Sequence, residues 1–97
     1  MTDIQNRAAV RVRIHGRVQG VWYRAWTEEE AARLGLHGWV RNRKDGTVEA
    51  LFVGPEADVN TMLVKCHDGP PAAEVEKVET FPAEGIVPRR FEVKPTV

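Results

Sequence analysis

The sequence predicts an α+β domain, an antiparallel sheet with two helices on one face. Two observations lead there: segments of alternating hydrophobicity separated by glycine- and proline-rich breaks, and two stretches with apolar residues at helical spacing. Together they give the order β-α-β-β-α-β. A third observation is size. With 97 residues the chain has room for one core, since domains commonly run ~100–150 residues.

Val10, Val12 and Ile14 alternate with Arg11, Arg13 and His15, the period of a half-buried first strand with its bases and histidine on the wetter face. The strand runs into Gly16-Arg17-Val18-Gln19-Gly20-Val21, a loop bounded by two glycines. A helix is expected from Trp22 to Leu34, because Tyr23, Thr27, Ala31 and Leu34 fall on one face. Glu28, Glu29 and Glu30 are read toward its N-terminal half, the favourable end of the dipole, and Gly35 as its stop. Leu36–Asn42 and Thr47–Val53 read as the second and third strands. The hairpin loop between them, Arg43-Lys44-Asp45-Gly46, takes its positive-φ residue from Asp-Gly.

Gly54-Pro55 opens the second helix, with Pro55 suited to its first position. Val59, Met62, Leu63 and Cys66 form its apolar stripe, and Gly69-Pro70-Pro71 ends it. A fourth strand is expected over Glu74–Phe81, where Val75 and Val78 are out of phase and call for a bulge. Phe91 and Val93 alternate in a last edge strand. Two helices on one face of an antiparallel sheet in this order is the ferredoxin-like split βαβ arrangement. Residues 1–7 read as a flexible N-terminal arm and residues 8–97 as the domain.

Composition excludes several classes. Fourteen basic and 14 acidic residues cancel, which argues against a strongly basic nucleic-acid binder and an acidic disordered tail. A single cysteine, Cys66, is too few for a disulfide framework or a zinc cage. No apolar stretch approaches the ~18 residues of a membrane span, and the polar start from Thr2 to Arg7 lacks a signal-peptide core. A cytoplasmic protein of a reducing compartment is expected. Charge is unevenly placed: residues 1–50 carry nine Lys/Arg against six acids, and residues 51–97 five against eight. A basic half is compatible with an anion site and with a plain solvated face.

The informative feature is the position of the first glycine loop, between a strand end and a helix N-terminus. Unpaired N–H groups and the positive helix end attract anions there, and Gly16 and Gly20 let the backbone curl into a nest. Arg24, in the first turn, can reach back with a fork that suits two phosphate oxygens. The bland alternative is a tight turn with Arg24 exposed or paired to a nearby Glu. Asn42, at the end of the second strand, either starts the turn by bonding its own backbone or uses its amide to aim a water.

These residues match something specific. Ile14-His15-Gly16-Arg17-Val18-Gln19-Gly20-Val21-Trp22-Tyr23-Arg24 resembles the first signature of the acylphosphatases, and Gly38-Trp39-Val40-Arg41-Asn42 with Asp45-Gly46-Thr47-Val48-Glu49 and Gly54 resembles the second. The resemblance runs from about Val10 to the C-terminus. One departure is Tyr23, where the family usually has Phe. The resemblance implies a monomeric hydrolase without metal or other cofactor, splitting small acyl phosphates into carboxylate and inorganic phosphate. It implies no nucleic-acid or membrane partner. It also implies that Arg24 and the loop Gly16, Arg17, Val18, Gln19, Gly20 and Val21 bind the phosphoryl group, while Asn42 orients water. Trp22 and Tyr23 both border the loop, and either could shape substrate preference.

Rival readings are weaker. An RNA-binding module shares the element order, but Thr47–Val53 offers an acid and aliphatics where stacking aromatics are needed. A module of a larger carbamoyl-transferring maturation protein would be followed by zinc-ligand cysteines. A non-catalytic anion sensor would bind phosphate and hydrolyse nothing. His15, His37 and His67 read as surface or structural residues.

Overall fold

The computed structural model describes residues 7–84 and 88–97. Its elements are β1 (Arg7–Arg17), α1 (Tyr23–Arg33), β2 (His37–Asn42), β3 (Val48–Pro55), α2 (Glu56–Cys66), β4 (Glu74–Pro82) and β5 (Phe91–Val93). The strands form one sheet in the order β4-β1-β3-β2-β5. The first four pair antiparallel, and β5 adds a parallel edge beside β2. The sheet is therefore mixed, where an antiparallel one was expected. Of the arm expected over residues 1–7, residues 1–6 lie outside the described residues and Arg7 already pairs with Pro55.

Register explains the core. Val12, Ala50 and Val40 share one rung, and Ile14, Val48 and Asn42 the next. Every one of these except Asn42 is fully buried, on the face that α1 and α2 cover. Because side chains alternate across a strand, Asn42 belongs to that same helix-covered face, at its open end. β1 and β2 both run antiparallel to β3, so Arg17 and Asn42 finish at one end of the sheet.

Local chemistry sets the element ends. Gly35 (φ +70) stops α1: its N–H bonds Ala32 O at 3.0 Å and that of Leu36 bonds Ala31 O at 2.9 Å, the paired closure of a helix C-terminus. The helix starts at Tyr23, one residue later than expected, with Trp22 as N-cap. Its first turn holds no acid, so Glu28, Glu29 and Glu30 lie past the stretch where the dipole is felt. Pro55 precedes α2 as N-cap, where first helical position was expected, because its ψ of 138° and its rung with Arg7 keep it in the strand. The expected bulge in β4 is present: His15 pairs Lys77 and Gly16 pairs Val75, leaving Glu76 as the extra residue. Gly16 is required there. Its φ is +126°, and a Cβ would sit 2.2 Å from Glu74 O.

Among the described residues no helix is long and apolar enough to cross a membrane.

Candidate active site

Leaving β1, the chain turns through Val18–Trp22 into α1. Val18 and Val21 are buried and anchor this loop in the core, while Gly20 (φ +74) and Trp22 (φ +68) take left-handed backbone. The loop and turn hydrogen bonds among the described residues include none donated by the N–H of Val18, Gln19, Gly20, Val21 or Trp22. Five successive amide donors are thus left without a partner among the described residues beside a helix N-terminus, where they and the dipole favour an anion.

A second segment is locked against the loop. The Gln19 amide nitrogen donates to Arg43 O at 2.8 Å and to Thr47 O at 2.9 Å, tying the loop to the β2–β3 hairpin. The hairpin braces itself. Asp45 accepts from the Thr47 N–H (2.9 Å) and hydroxyl (2.6 Å), and those bonds hold its carboxyl below the usual carboxylate range. The turn-starting role open to Asn42 thus falls to Asp45. Among the described residues the Asn42 side chain has no hydrogen-bond partner, although its backbone carbonyl accepts from Val97 at 3.3 Å.

The two segments enclose a cleft of about 450 Å³ whose lining includes Val18, Gly20, Arg24 and Asn42. Of the residues expected at the site, Gly16, Arg17, Gln19 and Val21 do not line it. Arg24 makes no ion pair or side-chain hydrogen bond among the described residues. Glu28, the acid one helical turn on and itself in the cleft lining, forms no ion pair with it among the described residues, while Glu30 is held by Arg33 at 2.6 Å and Lys65 at 3.3 Å. The cleft therefore gathers an uncommitted guanidinium, an uncommitted amide and a run of backbone donors. No group of three or more His, Cys, Asp or Glu placed to hold a metal ion occurs among the described residues.

The acylphosphatase family model matches residues 10–93. The chain belongs to the acylphosphatase family. An acylphosphatase of Rhodospirillum rubrum is 57% identical over 86 residues, covering 89% of this chain and 94% of that protein. One from Rhizorhabdus wittichii is 50% identical over 95 residues, covering 98% and 96%. The solved structure of an acylphosphatase from Coxiella burnetii superposes with a TM-score of 0.90 at 29% identity, over 97% of this chain and 99% of that one.

Tyr23, the one departure noted from the resemblance, is accommodated in the core. Its hydroxyl donates to Cys66 O at 2.6 Å, giving a partner to a carbonyl in the last turn of α2, and burial pushes its phenol well above the ordinary range. Burial likewise raises the Cys66 thiol to about 12, leaving an inert core residue. His15 bonds Glu79 at 2.6 Å and His37 bonds Pro88 O at 3.0 Å, both structural contacts outside the cleft.

Sequence reasoning missed the open face of the sheet. Glu49, with its carboxylate 5% exposed, accepts from Arg41 Nε and Arg43 Nη1 at 2.9 Å each and from Arg11 Nη1 at 3.1 Å. Burial would raise its pKa, but the bonds from Arg41 and Arg43 outweigh that and hold it below the usual range. Arg41 and Arg43 flank Asn42, so the network braces the strand end that carries the amide. The available signal was the i, i+2 spacing of Arg41 and Arg43 around Asn42, which puts both on the opposite face. Trp39 on this face lies under Arg41 and Lys94, at 4.7 and 5.4 Å from its ring centre.

Proposed function

We propose that this acylphosphatase-family protein hydrolyses the carboxyl–phosphate bond of small acyl phosphates, giving a carboxylate and inorganic phosphate. The observation that carries the reading is the meeting of Arg24 and Asn42, both without protein partners among the described residues, in one cleft beside the undonated loop amides. In this reading Arg24 and the free N–H groups of the loop, with Val18 and Gly20 in the cleft lining, cradle the phosphoryl oxygens, and Asn42 aims a water in line with the bond to be broken.

The chemistry asks little more. A carboxylate is a good leaving group, so the barrier lies in positioning and in neutralising the equatorial oxygens. Water attacks phosphorus, the P–O bond to the acyl group breaks with its electron pair, and the carboxylate departs. An amide takes no proton at neutral pH, so the water's proton passes to the phosphoryl group itself. Because the guanidinium and amides supply the positive charge, the reaction needs no metal. The same reading makes the protein a cytoplasmic monomer that acts without nucleic acid or membrane.

The test is the loss of benzoyl phosphate, followed by ultraviolet absorbance with excess chelator, for wild type, Arg24→Ala and Asn42→Ala. Removing a preorganised donor of this kind costs about 10²–10³ in rate. Both variants are expected to fall by that amount, with inorganic phosphate binding weakened in Arg24→Ala and retained in Asn42→Ala. A folded wild type that binds phosphate but hydrolyses nothing would make the cleft a sensor and sink the reading.

A further inference from the structure

The cleft lining contains a residue that neither folding nor packing accounts for. Trp22 is 81% exposed, more than any other large hydrophobic residue among those described. It is also the one non-glycine described residue with positive φ, at φ 68° and ψ 22°. A bulky side chain is disfavoured in that region, and outliers of this kind gather at functional sites. Glycine would hold the same backbone without strain. The core gains nothing from the ring, because its neighbour Tyr23 is the aromatic that turns inward.

What surrounds the ring gives it a use. Ala25, Glu28 and Val93 line the same cleft as Trp22. Arg24 and the loop amides account for a phosphoryl group. Trp22, Ala25 and Val93 offer apolar surface to whatever is attached to it, and an exposed indole is a flat, rigid partner for another ring. Glu28 adds a negative charge, which disfavours an acyl group bearing its own carboxylate.

We infer that Trp22 is the acyl platform of this cleft, selecting acyl phosphates whose organic part is flat and apolar over short or anionic ones, with Glu28 as the excluding charge. The inference rests on the hydrolytic reading above and deepens it. Trp22 touches only the part of the substrate that leaves, so it governs which acyl phosphate is bound well and takes no part in bond breaking.

The experiment compares kcat/KM for benzoyl, acetyl and succinyl phosphate in wild type, Trp22→Gly, Trp22→Ala and Glu28→Gln, with thermal unfolding of each. An aromatic contact of this kind supports about a tenfold preference, so both Trp22 variants should lose about that factor in the benzoyl-to-acetyl ratio. Trp22→Gly, relieved of its strained backbone, should melt no lower than wild type. Glu28→Gln should raise the succinyl-to-acetyl ratio roughly threefold, the size of an exposed charge contact. Hydrolysis of all three substrates with an unchanged benzoyl-to-acetyl ratio in both Trp22 variants overturns the platform alone. Failure of wild type to hydrolyse any of them overturns the hydrolytic reading, and the platform with it.

Discussion

The two helices have the same length, 11 residues each, and opposite construction. α2 carries Glu56 and Asp58 in its first turn and Lys65 in its last, the arrangement that complements its dipole, and it buries Val59, Met62 and Cys66 along one stripe. α1 has no acid in its first turn, no side-chain bond at its N-cap, and a tryptophan with left-handed backbone where a capping residue would stand. Its N-terminal charge is left uncompensated by the protein and faces the cleft that holds Arg24. Charges that complement the dipole are concentrated in one helix, and the capacity to hold an anion in the other. Even the contact between them follows this division, since Tyr23 at the start of α1 supplies the bond that satisfies Cys66 O in the last turn of α2.

Substitutions in the two helices should therefore separate activity from stability. The largest contrast sets Arg24→Ala against Met62→Ala. Arg24→Ala should lose about 10²–10³ in hydrolysis with an unaltered melting curve. Met62→Ala empties a fully buried site and should cost about 2–5 kcal/mol of stability, with activity per folded molecule retained. Activity assays paired with denaturant titrations measure both, and a large activity loss in folded Met62→Ala would erase the division.

A middle-sized effect concerns the bracing of Asn42. Glu49→Gln removes a carboxylate that three arginines share, at a cost of about 1.5–3 kcal/mol. The folded pKa of Glu49 lies below its unfolded value. Its stabilisation is therefore fully present above the unfolded carboxylate pKa of ~4.3 and is lost as pH falls through the folded one. Wild type should lose stability with acid in that window, and Glu49→Gln should lose less, while keeping some dependence from Asp45 and Glu79, which are lowered by their bonds to Thr47 and His15 respectively. Melting temperatures across the acid range provide the check, and identical slopes would deny Glu49 its part.

The smallest effect sharpens the contrast most. Ala25→Asp gives α1 the first-turn acid that α2 already has, and should stabilise the helix by about 0.3–1 kcal/mol while weakening inorganic phosphate binding. Glu56→Gln should cost α2 a similar amount and leave phosphate binding as it was. Calorimetric titration with phosphate beside thermal unfolding distinguishes them. If Ala25→Asp bound phosphate as tightly as wild type, the bare first turn of α1 would have no functional meaning.

Element order was legible because it depends on short-range patterns. Val12 and Ile14 declare a strand, Val59, Met62 and Cys66 a helix, Gly35 a stop, and each behaves so in the fold. Arg24 and Asn42 were legible as candidates because loop, helix start and strand end are local features. The placement of Pro55 and the parallel β5 were not, since each depends on where a neighbouring strand lies.

The sequence by itself determined the α+β element order, the buried stripes, the glycine loop before α1 and the candidacy of Arg24 and Asn42. Periodicity and turn chemistry act over a few residues, so they are written in the chain directly. Only the tertiary structure decided that Asn42 shares a rung with Ile14 and Val48, that Gln19 clamps the loop to the hairpin, that Glu49 is ringed by arginines, and that Tyr23 turns inward while Trp22 turns out. Those partners lie up to 43 residues apart in the chain, and no local spacing encodes them. They meet because sheet register and helix packing bring together residues that are distant in the chain.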